Sequence, residues 1–161
     1  MSARRITVRH ACDSAAPPAA VFALLADSST YPEWSQVHGY RMERPGFDAP
    51  HGVGEIRVLS SRWGLDVREE IVEIIPDRLM AYTLLSGLPM RDYRGETLLD
   101  PLPGGGTRIV WTSSFRPVPG LGWVMRRFMK WVLATLSGSL ARAAEIRSTP
   151  AAAPAAAAAQ T

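Results

Sequence analysis

The stretch LGWVMRRFMKWVLATLSGSL, residues 121–140, carries Leu121, Val124, Met125, Phe128, Val132, Leu136 and Leu140 at intervals of three and four. That period lays them along one side of an α-helix. Pro117, Pro119 and Gly120 precede the stretch, and no proline follows until Pro150. The spacing therefore predicts a single helix of roughly 25 residues, well beyond the usual ~10–14. Its apolar stripe needs a broad surface to lie on, and the rest of the chain has the material for a sheet.

Upstream, Arg5–Cys12 places Ile6, Val8 and His10 on one face and Arg5, Thr7 and Arg9 on the other, the alternation of a half-buried strand. Val21, Phe22, Leu24 and Leu25 then cluster with helical spacing behind Pro17 and Pro18, which fit a first turn where a missing N–H costs nothing. Tyr31-Pro32-Glu33-Trp34 reads as a second short helix or turn. From Gln36 onward strand signals dominate, with candidates at Val37–Glu43, Gly54–Ser60, Leu65–Ile74, Leu79–Leu85, Tyr93–Leu99 and Thr107–Phe115. Short turns between them imply an antiparallel meander. Residues 148–161 are mostly Ala with Pro150 and Pro154 and hold no large apolar anchor, so they read as a disordered tail outside a single domain spanning residues 1–147.

Composition narrows the function. With 161 residues, 47% of them apolar, and a net charge of +3, the chain can bury a core and is not globally disordered. Arginines and the single Lys130 are spread among acids instead of forming a basic stripe, which argues against nucleic-acid binding despite a pI near 9.5. The one cysteine, Cys12, cannot form an internal disulfide. His10, His38 and His51 are far apart and no Cys/His spacing suits zinc, so no metal and no cofactor are expected. Neither a signal peptide nor a membrane span is legible, and the protein is expected to be soluble and cytoplasmic, a monomer or weak homodimer.

The order of elements, together with Tyr31-Pro-Glu-Trp34, the Arg62-Trp-Gly turn, the Pro76-Asp-Arg hairpin and the Gly-rich hairpin before Arg108-Ile-Val-Trp111, resembles the SRPBCC superfamily, the START and birch-pollen-allergen-like proteins. Within that group the polyketide cyclase/dehydrase-like branch is the nearest in style. The resemblance covers residues ~5 to 147 and implies an α+β helix-grip fold, a curved antiparallel β-sheet wrapped around a long C-terminal α-helix, with short helices after the first strand. It also implies a mostly apolar cavity between sheet and helix for a hydrophobic small molecule. A long helix gripped by a bent sheet makes such a concavity on physical grounds as well.

Strand alternation assigns faces. In the last strand Ile109, Trp111, Ser113 and Phe115 should point inward. If Leu99 pairs with Ile109, then Thr97 meets Trp111, Gly95 meets Ser113 and Tyr93 meets Phe115, with Gly95 leaving room for a ligand. At the Pro76 hairpin Val72, Ile74, Met80, Tyr82 and Leu84 share a face taken as inward, and the same parity carries Arg68 and Glu70. That pair is a candidate polar contact for a ligand, or both are solvated where the strand twists outward. His38 and Tyr40 share a face of the second strand, and His38 could serve a cavity as a general base, or be an exposed or hydrogen-bonded histidine with no role in it. Tyr82 and Tyr93 could each donate an O–H, or pack with satisfied hydroxyls.

On the long helix Met125, Phe128, Met129, Val132 and Leu136 should roof the cavity. Trp123 and Trp131 beside Arg126, Arg127 and Lys130 could touch a membrane, or cover the sheet rim.

No strong catalytic signature emerges: Gly104-Gly105-Gly106 lies in a hairpin and not before a helix, and no nucleophile elbow is present. The expected activity is therefore that of a carrier or sensor of a hydrophobic or aromatic, lipid-like or polyketide-like molecule. The alternative is a polyketide cyclase/dehydratase using His38, Glu70 and Tyr82 for enolisation and water loss.

Overall fold

A computed structural model describes residues 4–149. One antiparallel sheet of seven strands runs in the order β1-β7-β6-β5-β4-β3-β2. The strands are β1 (Ile6–Ser14), β2 (Gly39–Arg44), β3 (Ile56–Ser60), β4 (Asp66–Ile75), β5 (Leu79–Ser86), β6 (Met90–Pro101) and β7 (Thr107–Pro117). Consecutive strands from β2 to β7 are neighbours, and β1 closes the order by pairing with β7. Between β1 and β2 lie α1 (Pro18–Ala26), a single 3-10 turn (Ser28–Thr30) and α2 (Tyr31–Trp34). The last described element is α3 (Gly122–Ser148). This is the α+β helix-grip architecture that the order of sequence signals predicts.

Local chemistry accounts for the joints. Pro17 and Pro18 open α1, whose Val21, Leu24 and Leu25 are buried. The Asp27 carboxylate accepts from the Ser29 N–H at 3.0 Å and so caps the turn that follows. Gly104 and Gly105, at φ +97° and +102°, supply the left-handed backbone that the β6–β7 hairpin needs. The expected pairs Leu99–Ile109, Thr97–Trp111 and Gly95–Ser113 are all present. The fourth is not: the register shifts between Arg91 and Arg94, where Asp92 adopts φ +50°, so Tyr93 is not the strand partner of Phe115. Their rings still stack, 6.4 Å apart.

Helix α3 is 27 residues long and packs mainly on β1 and β7, at one end of the sheet. Its fully buried positions are Met129, Leu133, Ser137, Leu140, Ala141 and Ala144, which meet Ile109, Trp111 and Phe115 in the core. The stripe read from the sequence is thus displaced by one residue. Phe128, Val132 and Leu136 lie beside the packed face and are only half buried. The predicted tail is helical at Ser148, the last residue of α3, and its residues 150–161 lie outside those described. Among the described residues no helix is long and apolar enough to cross a membrane.

Candidate functional site: a cavity beside the long helix

Because α3 sits over the β1–β7 end, it is not pressed onto the inner faces of β3, β4 and β5. A cavity of about 760 Å3 occupies that space. Its roof is the Phe128, Met129, Val132 and Leu136 side of α3, and its floor comprises Leu59, Val67, Tyr82 and Tyr93. At the mouth stand Trp63, 86% exposed, Leu65 and Trp131. The lining is almost wholly apolar, and Glu69 is the one carboxylate in it.

Glu69 belongs to a buried ion pair. Its Oε2 accepts from Arg57 Nε at 3.0 Å and lies 2.9 Å from Arg57 Nη2. Arg57, fully buried, is sandwiched between the rings of Tyr31 and Tyr82, 4.7 and 5.1 Å from their centroids. Its Nη1 donates to Ser28 Oγ at 3.1 Å. Ser28 in turn donates to Glu55, which also accepts from the Tyr40 hydroxyl and touches His51. Burial raises the Glu69 carboxyl above the usual range, and the guanidinium opposes that rise. Tyr93 is pushed up to about 12, first by burial and then by the nearby Glu69 charge. Neither phenol ionises near neutral pH, since burial also lifts Tyr82 well above its ordinary value.

Tyr82, Tyr93, Phe128, Met129 and Val132, all expected at the cavity, line it. Tyr82 accepts from Trp111 Nε1 at 3.0 Å, and Tyr93 shares a 2.8 Å hydrogen bond with Ser113. Trp111, Ser113 and Phe115 do face inward but form the layer beneath the lining. Gly95 leaves no room for a ligand: a Cβ there would stand 2.3 Å from Tyr82 Cζ, so the ring fills the space. Met125 packs on the core and not on the cavity. Trp123 and Trp131 do not cover the sheet rim; both are exposed, at 73% and 55%.

Four expected residues lie elsewhere. Arg68 and Glu70 point away from the cavity, bonded to Glu43 at 2.8 Å and Arg44 at 2.7 Å on the outer face. The cause is an irregularity in β4 between Ile71 and Glu73, which reverses parity below it and turns Val67, Glu69 and Ile71 inward in place of Arg68, Glu70 and Val72. His38 is exposed just ahead of β2, its N–H donating to Ser60 O. Tyr40 is committed to Glu55 at 3.0 Å, outside the cavity. The residues not foreseen are Arg57, Glu69 and the mouth residues Trp63 and Leu65. A signal for Glu69 did exist, since it stands two places from both Val67 and Ile71. Among the described residues no three His, Cys, Asp or Glu side chains gather as a metal site.

The chain matches the model of the polyketide cyclase/dehydrase and lipid transport family over residues 5–145 and belongs to that family. An uncharacterized protein of Mycobacterium tuberculosis is 27% identical over 143 residues, covering 76% of this chain and 79% of its own length. Among solved structures, a START superfamily protein from Mycobacterium smegmatis superposes with a TM-score of 0.75 at 14% identity, over 88% of this chain and 98% of that one. Norcoclaurine synthase from Thalictrum flavum, in complex with dopamine and hydroxybenzaldehyde, gives 0.75 at 12% identity, over 92% and 91%. Likeness at such low identity establishes the fold and leaves the chemistry to each cavity.

Proposed function

We propose that residues 1–147 form one ligand-binding domain acting as a carrier or sensor, which takes up an apolar or aromatic small molecule beside α3. The observation that carries this reading is the cavity itself: about 760 Å3, apolar, and open between Trp63 and Trp131. That volume falls in the range of small-molecule sites, roughly 300–1,000 Å3. Transfer of the guest from water supplies the driving force, about 25 cal/mol per Å2 of apolar surface removed. Native mass spectrometry of the protein purified from its own host tests this. A retained organic adduct is expected, and saturating it should block a fluorescent apolar probe. Failure of the protein to retain or bind any apolar compound would overturn the reading.

A cyclase/dehydratase reading has one observation in its favour, a carboxyl raised by burial and set near two tyrosines in the same cavity. On that reading Glu69 takes the proton-handling role, in place of His38 and Glu70. Product formation from a poly-β-ketone surrogate, lost in Glu69→Gln with binding retained, would favour it over the carrier.

A further inference from the structure

From the hydrogen-bonding state of Glu69 we infer that the cavity selects a guest with a neutral hydrogen-bond donor at one end, a phenol or alcohol on an apolar body, and that Glu69 Oε1 is its acceptor. This deepens the carrier reading and rests on it.

Glu69 Oε2 takes both guanidinium contacts from Arg57. Among the described residues nothing donates to Oε1, although a carboxylate oxygen can accept about two hydrogen bonds. Of the other polar groups in the lining, Tyr82 is engaged with Trp111, Tyr93 with Ser113, Ser60 with Asp66, and Ser61 with the Trp63 and Leu65 N–H groups; Gln36, Arg62 and Thr135 complete the polar lining and none is a carboxylate. Oε1 is therefore the charged acceptor left open in a mostly apolar lining. Oε1 is not sealed from solvent, the Glu69 side chain keeping 11% of its surface, so a guest that covers it without offering a donor strands the acceptor, whereas a guest that brings a donor does not.

Charge narrows the class. Arg57 and Glu69 together are neutral, and Arg57 is held rigidly between Tyr31 and Tyr82. At Oε1 a guest carboxylate would meet like charge, and the other guanidinium in the lining, Arg62, is exposed and lies over the Trp63 ring at the mouth. An ammonium would shed its water beside a carboxylate whose charge the guanidinium already offsets. A neutral O–H meets the lone pair without either cost.

The test is isothermal titration of the full chain at neutral pH with hexylphenol, its methyl ether and hexylbenzoate, which share one apolar body. The phenol is expected to bind about tenfold or more tightly than the ether, as for a hydrogen bond to a charged acceptor, and the benzoate more weakly than both. In a variant combining Arg57→Met with Glu69→Leu, the phenol and ether should bind alike and still bind. Removing both partners avoids stranding a lone buried charge, which Glu69→Leu alone would do. Equal affinity for phenol and ether in the natural protein, a benzoate as tight as the phenol, or a gap that survives in the double variant would each overturn the inference while leaving the carrier reading intact. Absence of binding by all three would defeat the inference, whereas the carrier reading falls only if no apolar compound is retained or bound at all.

Discussion

Gly95 lies on the inner face of β6 with the Tyr82 ring directly against its α-carbon. Any side chain there pushes the ring toward the cavity and off its bond from Trp111. Gly95→Ala should therefore destabilise the fold by about 1–3 kcal/mol, the usual cost of overpacking, read as a lower midpoint in urea. Glu69 has a different signature. Its carboxyl is raised in the folded state by burial, so in the pH window between the unfolded and folded values the folded chain holds a proton that the unfolded chain has already lost. Its contribution to stability is complete below the unfolded value of about 4.3 and declines as pH rises through the folded value. Subtracting the pH profile of Glu69→Gln from that of the natural protein should leave a curve that falls across that window. A flat difference would mean that the Arg57 guanidinium offsets the effect of burial in full.

At the scale of the element, α3 shows how one helix can both close a core and leave a hollow. Leu133 is fully buried against the sheet, while its neighbour Val132 faces the cavity. Leu133→Ala should cost about 2–5 kcal/mol, whereas Val132→Ala should cost less than about 1.5 kcal/mol because the removed methyls already face a void. Denaturation of the two variants side by side checks the assignment, and equal losses would contradict it. The periodicity of α3 was plain in residues 121–140, but which side of a broad stripe is packed was not. Ser137 sits fully buried on the packed face, its hydroxyl donating to Leu133 O at 2.7 Å, while more apolar positions are half covered. Hydrophobicity alone ranks those positions the wrong way round. Strand parity failed in the same manner at β4, where a local irregularity with no residue signature turned Glu69 inward and Arg68 and Glu70 outward. The last strand has no such break up to Ser113, and there alternation placed every inward residue.

For the molecule as a whole, architecture was readable because it depends on element order and turn chemistry, both of which are local. The cavity's polar chemistry was not, because it depends on partners that meet only after folding. Arg57 and Glu69 come from adjacent strands, Ser28 from the turn after α1, and Tyr31 from α2. The same long-range character governs one further property. Ile6 of β1 lies opposite Phe115 of β7, so the first strand finds its neighbour only once the last one exists. On the ribosome the first strand must wait, with its hydrogen-bonding edge bare, until β7 has emerged. Maturation is thus a late, concerted event whose pace is set by closure of the longest loop in the sheet, and a message truncated before β7 yields a product that cannot shield its own beginning.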